Sequence, residues 1–178
     1  MYLPIGSVDF NKVKESYQEG NLRGFHLDFW EAISQAQEDF HQSKDPQRID
    51  IILDRFYMEQ LYERALKTDI DLFIEYVRTL IDFTNIRSLL RLKKMKKDLH
   101  FTGEVILPNG YIDEETILDA LHEPIDELLE LFRNTNIHQT IVLGLESYQE
   151  TKRLTDFEKD MDDYLMDVCR RAKYVHFG

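Results

Sequence analysis

The sequence predicts an all-α fold, a helical bundle assembled from repeated, similar helical domains. Three observations predict it. The 178 residues include only seven Gly and four Pro, too few for the many tight turns of a sandwich or barrel. Apolar residues recur at helical spacing through most of the chain. The chain also partly repeats itself, over a distance too long for the short solenoid units. Leu3-Pro4-Ile5-Gly6-Ser7-Val8-Asp9 returns as Leu107-Pro108-Asn109-Gly110-Tyr111-Ile112-Asp113, shifted by 104 positions. Asp54-Arg55-Phe56-Tyr57-Met58 returns as Asp162-Asp163-Tyr164-Leu165-Met166, shifted by 108. A few inserted residues account for the difference. The expected organisation is the end of a first repeat over residues 1–45, a complete second repeat over 46–152, and the start of a third over 153–178. The chain is thus read as a partial, truncated one.

Taken in order, residues 1–20 read as a loop and one short helix from Asp9 to Gln18, with Asp9 as its N-cap. Gly20 and Gly24 mark a break. Leu27, Trp30, Ile33, Ala36 and Phe40 then form a helical stripe over 26–43. Pro46 fits the first turn of the next helix, 46–67, which carries Ile49, Leu53, Phe56, Tyr57, Leu61 and Ala65. Thr68-Asp69 is read as the cap of the longest segment, 69–95. Ile70, Phe73, Ile74, Val77, Leu80 and Ile81 share one broad face there, and Leu72, Tyr76, Phe83, Ile86 and Leu90 spread over most of the rest. Only a narrow stripe is polar, at Asp71, Glu75, Arg78 and Asp82, with Leu89 at its border. A helix apolar on most of its circumference is buried among others, so this segment is expected to be the central post. Residues 99–111 read as a loop, with a short extended piece at Glu104-Val105-Ile106-Leu107. Helices follow at 113–121, 125–133, 139–148 and 155–173.

Composition narrows the function. The hydrophobic share of 43% and charged share of 31% describe a chain that folds in water. A net charge of −12 repels a phosphate backbone and an anionic lipid surface, so neither nucleic acid nor direct lipid adsorption is expected. The lone Cys169 cannot form an internal disulfide, which fits a reducing compartment. No uncharged run approaches the roughly 20 residues needed to cross a bilayer, and no signal-peptide layout opens the sequence. The expected location is cytoplasmic, or at a membrane only through a partner.

Four constellations bear on chemistry. Asp119 and His122 stand three apart, half of a carboxylate–His metal pattern whose second pair is missing; they are read as a solvated helix face. Asp50 and Asp54 lie one turn apart, as hydrolase acid pairs do. Arg48, Arg55, Glu59 and Glu63 around them favour a charged flank. The basic run Arg91-Leu92-Lys93-Lys94-Met95-Lys96-Lys97 lacks the interleaved aromatics of a nucleic-acid platform. It reads as a solvated helix end, favoured by the macrodipole, or as a patch for an acidic partner. Asp82 and Asn85 lie on the buried post near Arg78, Arg87 and Arg91, and must be hydrogen-bonded there. They form either a catalytic cluster or, the preferred reading, a structural network that fixes packing. No phosphate-binding glycine loop, CxxC or HExxH is present. No catalytic, cofactor-binding or metal residue is therefore assigned, and no cofactor is expected.

Four stretches resemble the C subunit of the archaeal and bacterial V-type (A/V-type) rotary ATPases, a relative of the eukaryotic d subunit. They are Leu53-Asp54-Arg55-Phe56-Tyr57; the run from Phe73 through Ile81-Asp82-Phe83-Thr84-Asn85-Ile86-Arg87 to Leu89-Leu90-Arg91; Leu107-Pro108-Asn109-Gly110; and Phe157-Glu158 to Asp162, continuing through Arg171-Ala172-Lys173-Tyr174-Val175 to Phe177-Gly178. The resemblance implies a funnel of three similar helical domains, of which this chain lacks most of the first and third. It implies a non-catalytic central-stalk part that seats on the membrane rotor ring and receives the foot of the shaft formed by the D and F subunits. Such a part couples ATP chemistry to proton or sodium transport. An unrelated all-α protein-interaction adaptor and a small helical enzyme using Asp50/Asp54 or Asp82 are the alternatives.

Overall fold

In a computed structural model, residues 9–20 and 27–174 are described. They form nine α-helices and a closing 3₁₀ turn, with no strand among them. The first copy of the echoed segment at residues 3–8, the expected break at Gly24 and the closing residues 175–178 lie outside the described residues. Compact packing divides the chain into two units, Met1–Phe56 and Tyr57–Gly178.

The first unit holds α1 (Phe10–Glu19), α2 (Leu27–Ser43) and the opening of α3 (Pro46–Thr68). Asp9 caps α1 as the sequence predicts, its carboxylate accepting the Asn11 N–H at 2.8 Å. Gly20 closes the helix at φ +63°, a left-handed conformation that glycine adopts without strain. The α2–α3 turn is held by Arg48, whose Nη2 donates to Asp39 Oδ2 at 2.8 Å. That guanidinium holds the Asp39 carboxyl below its ordinary range. Phe56 of α3 lies 6.2 Å, ring to ring, from Phe29 of α2.

The second unit is built around α4 (Asp71–Met95), and ten of its residues are buried. This matches the expected central post. Around it lie α5 (Leu99–Val105), α6 (Glu114–Asp119), α7 (Ile125–Leu131), α8 (His138–Thr151) and α9 (Leu154–Arg171), then the turn Ala172–Tyr174. The larger core gathers Ile86, Leu89, Phe132, Ile141, Leu145 and Phe157, all at most 1% exposed. A smaller cluster joins Ala65 of α3 to Val77 and Ile81 of α4. Helices α8 and α9 approach closely at Gly144, where a Cβ would lie 2.4 Å from the Phe157 ring. Only glycine leaves room for that ring. Tyr164 of α9 meets Phe83 of α4 edge to face at 5.6 Å, a favoured aromatic geometry.

Several expectations are corrected. Residues 99–105 are helical, not loop, because Asp98 caps them: its side chain accepts the Phe101 N–H at 2.8 Å. Chain extension begins only at Ile106 (φ −68°, ψ 130°), so no extended piece starts at Glu104. Thr68-Asp69 does not cap α4. Ile70 occupies the cap position without a side-chain bond, while Asp69 turns left-handed at φ 54°. Leu89, at the border of the polar stripe, is wholly buried, as is Asp82 within that stripe.

Lys93 has a role that the sequence does not announce. Its Nζ donates to the carbonyls of Ala120 at 2.7 Å, Leu121 at 2.6 Å and Glu123 at 2.5 Å. These carbonyls follow α6, where the last turn of a helix leaves acceptors without partners. Burial holds the Lys93 ammonium below its ordinary pKa.

Candidate functional site

The chemically densest place in the second unit is where the segment after α5 lies across the middle of α4. Three α4 side chains, at i, i+4 and i+7, face it: Arg78, Asp82 and Asn85. Helical geometry puts these positions on one face. Asn85 holds Leu107 at both ends of its peptide unit. Its Nδ2 donates to the Leu107 carbonyl, and its Oδ1 accepts the Leu107 N–H, both at 2.8 Å. Beyond Leu107 the chain turns. Asn109 takes φ 73°, a left-handed conformation that Asn tolerates better than most residues. Asp82 then accepts the Tyr111 N–H on Oδ2 at 3.0 Å and the Ile112 N–H on Oδ1 at 3.1 Å. Arg78 completes the clasp, donating from Nη2 to the Gly110 carbonyl at 2.7 Å and lying 4.0 Å from the Tyr111 ring centre.

Gly110 is demanded by this arrangement. A Cβ there would stand 2.1 Å from Asp82 Oδ1 and 3.1 Å from its Cγ. The carboxylate reaches two successive backbone N–H groups only because no side chain intervenes.

The electrostatics agree with a sealed joint. Asp82 is 0% and Asn85 1% exposed. Burial raises the Asp82 carboxyl to about 6, and the Ile112 and Tyr111 N–H groups and the Arg78 charge oppose that rise only in part. A carboxylate so enclosed, with an N–H on each oxygen, has no open approach for a substrate. This favours the structural reading of Asp82 and Asn85 over the catalytic one. It also revises their company: Arg91 turns away and pairs with Glu158 of α9 at 2.6 Å.

The other sequence candidates do not join this site. Asp50 and Asp54 are exposed on α3. Asp119 and His122 line a separate cleft with Glu123, Glu127 and Glu130. Among the described residues no three His, Cys, Asp or Glu side chains converge as metal ligands. The basic run splits by role. Lys93 ties down α6, Lys97 lies 4.2 Å from the Phe101 ring centre, and Lys94 and Lys96 face solvent. Among the described residues no helix is long and apolar enough to cross a membrane.

The sequence placed Arg78 near Asp82 and Asn85, but Gly110 was not singled out as a member of the joint. The signal for Gly110 was present in the echo itself. Leu107 is pinned by Asn85, Gly110 makes room for Asp82, the Ile112 N–H reaches Asp82, and Asp113 opens α6. Each of these has its counterpart in the segment Leu3–Asp9.

The whole chain, residues 1–178, matches the family described as ATP synthase (C/AC39) subunit. Among curated relatives, the C subunit of the A-type ATP synthase of Methanocaldococcus jannaschii is 22% identical over 180 residues, covering 96% of this chain and 45% of the relative. The protein of the same name from Haloferax volcanii is 23% identical, covering 83% of this chain and 42% of its own. That from Methanobrevibacter smithii is 26% identical, covering 64% and 31%. The chain thus spans less than half the length of the curated relatives it matches. No solved structure matches it.

Proposed function

This chain belongs to the ATP synthase (C/AC39) subunit family, and from that membership we propose that it acts as a non-catalytic central-stalk part of a V-type/A-type rotary ATPase. In this reading it links the D and F shaft subunits to the membrane rotor ring and carries torque for proton or sodium transport. It would sit on the cytoplasmic side, peripheral to the membrane through its complex. Residues 1–45 would close a first helical repeat, 46–152 form a second, and 153–178 begin a third.

The observation that carries the proposal is the match along all 178 residues. The Asp82–Asn85 joint supports it. Asp82 and Asn85, two of the buried polar side chains of α4, hold the protein's own backbone, which supports a role in stiffness and not in turnover. A torque-bearing part needs low compressibility, which close-packed helices provide. The net charge of −12 would complement a basic shaft end and make assembly faster at low salt.

The test is co-purification from native membranes with an affinity tag on this chain. Recovery of shaft and ring subunits together, with ATP hydrolysis unchanged by Asp82→Asn or Asp54→Asn, is the expected result. Recovery of an unrelated partner set, or loss of turnover in either folded variant, would overturn the reading.

A further inference from the structure

Helix α6 is only six residues long, too short to be stable through its own hydrogen bonds. It ends in a turn at residues 120–123. Pro124 then stands at the cap of α7 and has no N–H to offer. The carbonyls that end α6 therefore need donors from elsewhere. Lys93 of α4 supplies them, its Nζ donating to Ala120, Leu121 and Glu123 at 2.7, 2.6 and 2.5 Å. An ammonium carries three N–H groups and no acceptor, so three carbonyls saturate it. The end of α4 is closed by its own backbone: the Lys96 N–H donates to the Lys93 carbonyl and the Lys97 N–H to the Leu92 carbonyl, both at 3.1 Å. The Lys93 side chain is thereby left for α6. Its neighbours Lys94 and Lys96 are exposed, and Lys97 lies over the Phe101 ring.

The same turn has a second side. Asp119, His122 and Glu123 line a cleft of about 690 Å³ together with Leu118. Backbone carbonyls of 120–123 thus face Lys93 while side chains of the same stretch form a cleft wall. Burial opposes the Lys93 charge and the Glu123 carboxylate favours it. With a neutral side chain at position 93, three carbonyls would lose a charged donor, and unmade hydrogen bonds at a half-buried place are costly. Ala120 and Leu121 would still pack in the larger core. The loss is therefore expected to fall on the turn and not on the whole unit, since stability is distributed unevenly along a chain.

We propose that the Ala120, Leu121 and Glu123 carbonyls form a cradle for a primary ammonium, and that Lys93, seated in it, is a latch that fixes the wall of the Asp119–His122 cleft. The cradle selects positive charge together with N–H donors. Without them the 119–123 stretch opens while α4 and α9 stay packed. The latch lies within the second unit and is independent of any rotary role.

The test is amide hydrogen exchange, read residue by residue, on the full 178-residue protein. Lys93→Met keeps an unbranched side chain and removes both the charge and the donors. The reporters are the N–H groups of Leu121, His122 and Glu127, which bond to the carbonyls of Leu118, Asp119 and Pro124. Their exchange should accelerate at least tenfold in Lys93→Met. The amides of Ile86 in α4 and Leu165 in α9, both buried, should exchange as in wild type. Lys93→Ala empties the cradle. Propylammonium chloride, which supplies the carbons and the ammonium removed, should slow the reporters again. Tetramethylammonium chloride at the same concentration has no N–H and should not. Unchanged reporters in Lys93→Met overturn the proposal, as does an acceleration shared equally by Ile86 and Leu165, which would make Lys93 a support of the whole unit. So does failure of propylammonium to restore protection, or equal recovery with both cations.

Discussion

Gly110→Ala probes the Asp82 joint with one methyl group. The new Cβ would lie 2.1 Å from Asp82 Oδ1, 3.1 Å from Asp82 Cγ and 3.4 Å from Ile81 Cγ2. The first distance is far inside van der Waals contact, and Asp82 is fully buried with both oxygens engaged. Either the carboxylate rotates away from the Tyr111 and Ile112 N–H groups, or the loop lifts and the Arg78 bond to the Gly110 carbonyl is lost as well. A hydrogen bond to a charged group contributes about 1.5–3 kcal/mol. Tyr111 is 41% exposed, so water replaces part of its loss. The expected destabilisation is about 3–5 kcal/mol, a large part of the ~5–15 kcal/mol by which domains are stable. Urea unfolding followed by circular dichroism measures it. Gly103→Ala is the matched control: no atom lies within 4 Å of its added Cβ, and the residue sits inside α5, so a gain of about 0.5–1 kcal/mol is expected. A Gly110→Ala midpoint within ~0.5 kcal/mol of wild type would refute the reasoning, since such a loop could not be locked against α4.

Three further outcomes follow from the same geometry. Asp82→Ala should lower stability by about 1–3 kcal/mol, because two backbone N–H groups lose their acceptor; an unchanged urea midpoint would contradict it. Asp82→Asn tests the ionisation. The folded carboxyl titrates at about 6 against an ordinary 3.8, so its contribution to stability is fully present below pH 3.8 and is lost as pH rises through 6. The loss is about 3 kcal/mol. The stability difference between wild type and Asp82→Asn should therefore shift by about that amount in favour of wild type as pH falls from 7 to 4. Parallel stability curves across that window would sink the assignment. Leu89→Ala, at a site with no exposure, should cost about 2–5 kcal/mol, and a loss below ~1 kcal/mol would show that the core around α4 closes over the gap.

The helices that sequence placed well are those with many apolar residues at one period. The span and burial of α4 were legible because more than half its circumference is apolar, and α9 because Phe157, Met161, Leu165 and Val168 recur at helical spacing. Helix α5 was missed for the opposite reason. At seven residues it is too short to display a period, and Gly103 inside it reads as a breaker. Its only local signal was Asp98 before Leu99, a cap that is easily lost behind a basic run. The start of α4 was misplaced because Thr68 and Asp69 are both cap-forming residue types, while the chain uses the left-handed turn at Asp69 and puts Ile70 at the boundary. The candidate site was half legible. A carboxylate and an amide on a buried helix must find partners, but which backbone they hold depends on a loop beyond the next helix, and helical spacing carries no information about that. The same limit hid Lys93, which looks from sequence like the other lysines of its run.

The echo between residues 3–9 and 107–113 can be weighed against the contacts of the second copy. Five positions recur in step, and four of them have a definite task there. Leu107 is held by Asn85, Gly110 leaves room for the carboxylate, the Ile112 N–H reaches Asp82, and Asp113 stands at the start of α6. Asn109 and Tyr111, which do not recur, contribute their backbone to the turn and to Asp82, and any residue able to take the same backbone path supplies that. Of the recurring positions, Leu107 and Ile112 meet α4 through their backbone, and Gly110 acts through the absence of a side chain. A reacting centre would hold its functional side chains instead, and the recurring set contains no nucleophile. Its one titratable group, Asp113, stands at the start of α6 without a side-chain cap bond, whereas Asp9 caps α1 through its carboxylate. Residues 107–113 therefore fasten a loop to a buried helix.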